Sequence, residues 1–229
     1  MSLTIARIAG LAAVVLIWMW SRDARWTEFR SIVVIWCAPL LTYPITLVGL
    51  SALAGVPTAR RAEWTTLAVH YAAMMALGVA FFRAIPLVTQ SPGIRIPIPE
   101  PVGLAVTGVT GLATFLTVVN LALRGWGAPF AAKLSSRLAT DWTYAWTRNP
   151  MLLCSLAWLT SFGLMYRSLW FVAWMAIVVS PGWIFLVKTY EERELALRFG
   201  NEYERYRART PFLWPRKPAA AGTRVSTAG

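Results

Sequence analysis

Apolar residues fall in six blocks along the chain, at positions 3–20, 32–56, 64–82, 102–123, 150–166 and 168–187, and polar or basic residues collect between them. At 1.5 Å rise per residue, a block of about 20 residues covers the roughly 30 Å of hydrocarbon in a bilayer. The pattern predicts an all-α fold, a polytopic membrane helical bundle of about six transmembrane helices, with a C-terminal amphipathic helical tail from Lys188 onward. The first block carries only Arg7 and ends in Trp18-Met19-Trp20. That end is an interfacial aromatic anchor rather than a small-residue cleavage site, so the block reads as a retained helix. Pro39 and Pro44 predict a kink in the second block, and the Pro-rich stretch 91–101 predicts an extended connector. The last two blocks are joined only by Arg167 and Ser168 and should form a helical hairpin, its second arm bent at Pro181-Gly182. Gly200-Asn201 divides the tail into two short helices, Asn201 with Glu204 fits an N-cap arrangement, and residues beyond Pro215 read as a disordered tail.

Composition excludes a water-soluble domain: 57% of the residues are hydrophobic and 14% charged, with a mean hydropathy of +0.54. A net charge of +12 would raise the question of nucleic acid in a soluble protein. Here the basic residues lie between or after apolar blocks, where Lys and Arg set topology and meet anionic headgroups. No aromatic-interleaved basic face suggests base stacking. Cys37 and Cys154 both lie inside apolar blocks, which implies buried thiols, and two cysteines are too few for cysteine-rich zinc chemistry. With a cytoplasmic N-terminus, six spans place 16 of the 22 basic residues on the inner face and 6 on the outer. That asymmetry puts both termini in the cytoplasm. It also puts the polar segment 124–149 and the tail on one face, separated only by the hairpin, so that they can build one site.

Candidate chemistry is concentrated there. Gly125-Trp126-Gly127-Ala128-Pro129 precedes Tyr144 and Arg148-Asn149-Pro150-Met151; after the hairpin come Tyr190-Glu191-Glu192, Phe199-Gly200, Tyr203, Tyr206 and the run from Pro211 to Pro215. This ordered set, spread over about 90 residues, resembles the isoprenylcysteine carboxyl methyltransferase and phospholipid N-methyltransferase superfamily of integral membrane enzymes. The resemblance implies that the Gly-x-Gly segment, the Arg-Asn-Pro motif and the Glu-Glu pair surround S-adenosyl-L-methionine at the cytosolic end of the bundle. It divides the chain into N-terminal transmembrane helices and connector (1–101), a methyltransferase-like cofactor-binding core (102–215) and a tail (216–229). The partners it implies are the lipid bilayer and a lipidic or small hydrophobic methyl acceptor, with no metal.

Residue chemistry is compatible with those roles, and each residue has a plainer reading. Arg148 offers a planar fork of donors suited to the methionine carboxylate, or is an interfacial cation. Pro150 at the first helical turn leaves N–H groups for an anion. Glu191 and Glu192 point about 100° apart on a helix, so one can accept from ribose hydroxyls or the amino group while the other pairs with Arg148 or a nearby Arg; alternatively they are a solvated acidic pair. Gly125 and Gly127 either permit close backbone approach or stop a helix. Tyr144, Trp146, Tyr190, Tyr203 and Tyr206 can face adenine or a sulfonium, or form an interfacial belt. The resemblance thus assigns Arg148 and Glu192 to catalysis, and Gly125, Gly127, Tyr144, Arg148, Asn149, Pro150, Tyr190, Glu191 and Glu192 to the cofactor. His70, the only histidine, falls mid-span, where a polar residue usually bonds a neighbouring helix, so no general base is evident. Methyl transfer from a sulfonium tolerates that for a thiolate or carboxylate, whereas an amine must lose a proton.

Departures from the superfamily pattern bear on the acceptor. Trp142-Thr143-Tyr144-Ala145 stands where relatives carry Gly-Pro-Tyr-Arg, Leu152 replaces a Tyr and Cys154 a Gly. Two other classes therefore stay open: a membrane reductase with a nicotinamide cofactor, whose phosphates call for extra basic residues, and a scaffold that has lost its chemistry. The membrane itself is not named by the sequence; an Arg-rich compact chain fits a bacterial inner membrane, and an endoplasmic reticulum enzyme looks much the same.

Overall fold

A computed structural model describes residues 3–23, 25–55, 59–125 and 137–218. Its helices run α1 (Leu3–Ser21), α2 (Glu28–Leu40), α3 (Thr42–Ala54), α4 (Ala59–Gln90), α5 (Glu100–Asn120), α6 (Thr143–Trp146), α7 (Pro150–Met165), α8 (Leu169–Trp174), α9 (Ser180–Leu186), α10 (Glu192–Phe199) and α11 (Asn201–Arg209). Wider π-helical turns extend α5 over Leu121–Gly125 and join α8, α9 and α10 through Met175–Val179 and Val187–Glu191. The described residues contain no strand, and the chain is an all-α polytopic bundle. Five stretches are long and apolar enough to cross a membrane: Leu3–Ser21, Glu28–Ala54, Arg61–Gln90, Glu100–Arg124 and Leu169–Phe199. The sixth apolar helix, Pro150–Met165, has 16 residues. At 1.5 Å per residue it is roughly 24 Å long and falls short of a full crossing. Outward-facing Ile8, Val48, Val109 and Ile177 are all more than 60% exposed, as lipid-facing side chains should be.

Local chemistry sets the bends. Pro39 has no N–H to give the Ile35 carbonyl, and the indole of Trp174 donates to that carbonyl at 3.1 Å instead. The kink predicted at Pro39 and Pro44 is thus a break at Leu41, sealed by a helix from the other half of the chain. Gly182 is what lets that helix approach: a Cβ there would stand 2.3 Å from Thr42 Oγ1. Helices α5 and α7 pack through small residues in the manner of membrane helices. Thr107 Oγ1 donates to the Ser161 carbonyl at 3.1 Å, and a Cβ on Gly103 would lie 2.6 Å from the Leu164 carbonyl oxygen.

Three expectations need correction: Cys37, expected as a buried thiol, is exposed, and Cys154 is only partly buried; the other two concern helix ends. Helix α4 does not end at residue 82 but continues to Gln90, past Arg83 and Pro86. The N-cap of α11 is Gly200, at φ +50°, not Asn201, which is already helical and makes no capping bond. The Pro-rich connector is extended as expected, and it is docked on the hairpin tip. Ile96 N–H donates to the Arg167 carbonyl at 2.9 Å, and Leu169 N–H to the Ile94 carbonyl at 3.0 Å. Of the tail predicted beyond Pro215, residues 216–218 are described, with Arg216 N–H bonded to the Trp146 carbonyl, and the rest lies outside the described residues.

Candidate functional site

The short helix α6 turns directly into the extended Thr147; Arg148 and Asn149 follow, and Pro150 opens α7. Sequence places this segment beside the chain terminus only through the hairpin; the structure straps the two together. Arg148 N–H donates to the Pro211 carbonyl at 2.9 Å and Arg216 N–H to the Trp146 carbonyl at 2.9 Å. Asn149 Nδ2 donates to the Phe212 carbonyl at 3.0 Å, and Tyr206 Oη to the Tyr144 carbonyl at 2.7 Å.

Glu191 and Glu192 diverge, as adjacent helical residues must. Glu192 Oε1 accepts from Arg148 Nη2 at 2.6 Å and Nε at 2.9 Å, and both side chains are 11% exposed. Nη1 of the same guanidinium donates to the carbonyls of Arg207 and Thr210. Breaking a buried pair of this kind by removing one partner costs about 3–5 kcal/mol, because a charge is left uncompensated. Glu191 points the other way, toward α4, and its Oε1 lies 2.9 Å from His70 Nε2. The only histidine is therefore part of this site, which sequence reading did not anticipate. Its partner lies 121 residues away on another helix, and no local motif signals the contact.

Other predicted residues take distinct places. Tyr190 is fully buried, its hydroxyl 3.0 Å from the Thr66 hydroxyl; the ring presents no face to a ligand in this conformation. Tyr144 is buried under the terminal strap. Asn149 makes no side-chain cap for α7 because its amide serves the strap. Gly125 closes the π-turn after α5, and Gly127 lies outside the described residues. Burial pushes the phenols of Tyr144, Tyr203 and Tyr206 above their ordinary range, with Glu191 adding to the effect on Tyr144 and Glu192 to that on Tyr203.

Among the described residues four buried side-chain polar atoms lack partners where such atoms are normally satisfied, and two of them, Tyr203 Oη and Asn120 Nδ2, belong to the residues around this site. Asn120 uses its Oδ1 to accept from Thr143 at 2.8 Å, one residue before Tyr144. A cavity of about 470 Å3 opens beside Glu192, lined by Lys188, Thr189, Arg193, Ala196, Glu204 and Arg207 as well. That volume suits a small-molecule ligand. Its wall combines carboxylates for a cationic group with Lys and Arg for an anionic one, so the residues fit a zwitterionic, positively charged nucleoside such as S-adenosyl-L-methionine.

Fold and composition together define an integral membrane protein with a polar cluster and a cavity at one end of its helical bundle. Residues 100–202 match the family model described as phospholipid methyltransferase, consistent with the membrane methyltransferase superfamily that the sequence resembles. The matched segment contains α5 to α10, the Arg148-Glu192 pair and Glu191, and leaves out His70. No curated protein and no solved structure matches the chain.

Proposed function

We propose that the chain is an S-adenosyl-L-methionine-dependent methyltransferase acting on a lipidic or small hydrophobic acceptor (thiol, carboxylate or amine) that reaches the site from the bilayer. The observation that carries this reading is the placement, within the segment that matches the phospholipid methyltransferase model, of an Arg148–Glu192 ion pair whose Glu192 lines a cavity. Glu192 would meet the amino group or sulfonium of the cofactor, while Lys188 and Arg193 would face its carboxylate. Arg148, already engaged by Glu192 and two carbonyls, would act as a positioning residue that aims the carboxylate. The resemblance assigns Gly125, Gly127, Tyr144, Asn149 and Pro150 to the cofactor as well; of the described ones, Gly125, Tyr144, Asn149 and Pro150, none lines the cavity. The bound cofactor supplies a methyl group that is electrophilic at neutral pH. The excess of basic residues at this end of the bundle supports a cytoplasmic site.

Lys188, Arg193 and Arg207 around the cavity are also what a dinucleotide phosphate requires, which makes the nicotinamide reductase the reading to test against. In calorimetry of the detergent-purified protein, S-adenosylhomocysteine should bind saturably, and Glu192→Gln and Arg148→Ala should each weaken it by more than tenfold, about 1.4 kcal/mol. Binding of NADPH without binding of the homocysteine compound would replace this reading with the reductase.

A further inference from the structure

The cations at the site end divide by what holds them. Arg148 gives Nε and Nη2 to Glu192 at 2.9 and 2.6 Å and Nη1 to the carbonyls of Arg207 and Thr210, so every nitrogen of its fork is engaged. Arg198 pairs with Glu194 at 3.0 Å and Arg207 with Glu204 at 3.4 Å. Lys188 and Arg193 line the cavity, yet among the described residues neither bonds a carboxylate. What Lys188 has instead is an aromatic face: its Nζ stands 5.8 Å from the centroid of the Phe212 ring, inside the roughly 6 Å over which a ring attracts a cation. A ring face takes up none of the ammonium's hydrogen-bonding directions toward the cavity, so Lys188 is oriented while its charge stays uncancelled. The Arg148 guanidinium carbon lies 5.9 Å from the same ring.

Phe212 is itself fixed on three sides. Its carbonyl accepts from Asn149 Nδ2 at 3.0 Å and from Thr147 Oγ1 at 3.1 Å. The Pro211 carbonyl just before it accepts from Arg148 N–H at 2.9 Å. The side chain packs against the buried cluster that contains Leu152, Leu186 and Tyr190. One short segment therefore holds the ring, and the ring meets both the cation that is already paired and the one that is not.

Resting on the methyltransferase reading above, we propose that Phe212 is a positioning residue of the cofactor site: its ring presets the Lys188 ammonium at the cavity wall, and that ammonium selects ligands whose amino-acid end carries a carboxylate. A lysine stem is flexible, and fixing it as a ligand arrives costs affinity; a stem already held by a ring has less freedom to lose. A carboxylate of the protein would fix the same stem but neutralise it, as Glu192 does for Arg148. The ring does the first without the second. A ligand with no carboxylate gains nothing from the preset charge, so the contact acts on specificity. Phe212 lies beyond the segment that matches the family model, which gives the run from Pro211 to Pro215 a role at the cavity.

Calorimetry on the detergent-purified full chain reads this with two ligands, S-adenosylhomocysteine and methylthioadenosine, the second being a thioether nucleoside without the amino-acid end. Phe212→Leu should weaken S-adenosylhomocysteine by about fivefold to tenfold and leave methylthioadenosine within about twofold. Phe212→Tyr, which keeps the ring, should restore the affinity. Lys188→Met should give the same selective loss, and Phe212→Leu added to it should weaken binding little further, because both changes remove one contact. A pentafluorinated ring at position 212 keeps the shape and reverses the charge of the face; it should reproduce the loss even where Phe212→Leu fails to fold. Equal losses of both ligands, losses from Phe212 and Lys188 that simply multiply, or unchanged affinity in the fluorinated protein would overturn the proposal while S-adenosylhomocysteine still binds the wild type. Failure of the wild type to bind S-adenosylhomocysteine overturns the methyltransferase reading and the proposal with it, and that measurement tells the two apart.

Discussion

The two ends of the bundle each bury an arginine, and they hold it in opposite ways. At the hairpin end, Arg83 is 5% exposed. It donates to Ser31 Oγ at 2.6 and 3.2 Å, to the Ser21 carbonyl at 2.9 Å and to the Asp23 carbonyl at 3.2 Å, with the Trp26 ring 5.2 Å away. No carboxylate bonds it; Asp23, the nearest, is taken by Arg25 at 2.6 Å. Arg25 accordingly holds the Asp23 carboxyl at about 2, well below the usual carboxylate range. At the site end, Arg148 meets Glu192, and around that pair stand a second acidic residue, a histidine, a cavity and a tyrosine hydroxyl without a partner. Neutral partners make a clasp between helices. Ionic partners beside a cavity make a place where an incoming charge can exchange for one already there.

Arginine substitutions separate these roles most sharply and have the largest expected effect. Arg148→Ala leaves the Glu192 carboxylate buried and uncompensated, and should cost about 3–5 kcal/mol of stability together with S-adenosylhomocysteine affinity. Arg83→Ala leaves only neutral acceptors behind, each costing about 1–3 kcal/mol when unsatisfied. It should lower the melting temperature in detergent while leaving the affinity within about twofold. A loss of affinity in Arg83→Ala beyond tenfold would show that the hairpin end is coupled to the site.

The next effect is one of packing. Gly103→Ala drives a Cβ to 2.6 Å from the Leu164 backbone, which cannot move aside as a side chain could, whereas Gly108 on the same helix has nothing within 4 Å. Gly103→Ala should cost about 1–3 kcal/mol, and Gly108→Ala, which also gains helix propensity, should be neutral or stabilising by under about 1 kcal/mol. Equal melting temperatures for the two variants would remove the α5–α7 contact as an anchor of the hairpin end.

Much of this contrast was legible in the chain, and the part that was not has a physical cause. Hydropathy and proline placement locate the six apolar segments and the break at Leu41, because those signals are local. The end of α4 is hidden because the apolar run stops at Arg83 while the helix continues past it and Pro86. Carbonyls and hydroxyls from α1, α2 and their junction absorb the charge, and no periodicity shows that. The same limit hid His70, since an isolated polar residue in a span carries no mark of the acidic residue it will meet. That Arg148 meets one glutamate of the pair could be proposed because a family pattern orders them, though not which one; the strap of 210–216 across residues 146–149 could not, because it consists mostly of main-chain carbonyls and amides.

A pair of tyrosines gives the smallest effect and the finest test. Tyr190 and Tyr203 are both essentially buried, at 0% and 1% exposure. The Tyr190 hydroxyl has Thr66 as its partner at 3.0 Å, and that of Tyr203 has none. Tyr190→Phe removes a made hydrogen bond and should destabilise the protein by about 1 kcal/mol without touching nucleoside affinity. Tyr203→Phe removes an unsatisfied group, so it should be neutral or stabilising by about 1 kcal/mol. If that hydroxyl is held in reserve for the ligand, the same change should weaken S-adenosylhomocysteine several-fold. A variant that gains stability and loses affinity is the signature of a group kept unpaired for binding; Tyr203→Phe with unchanged affinity would reduce that hydroxyl to a packing defect and shift the ligand-contacting side of the cavity toward Lys188 and Arg193.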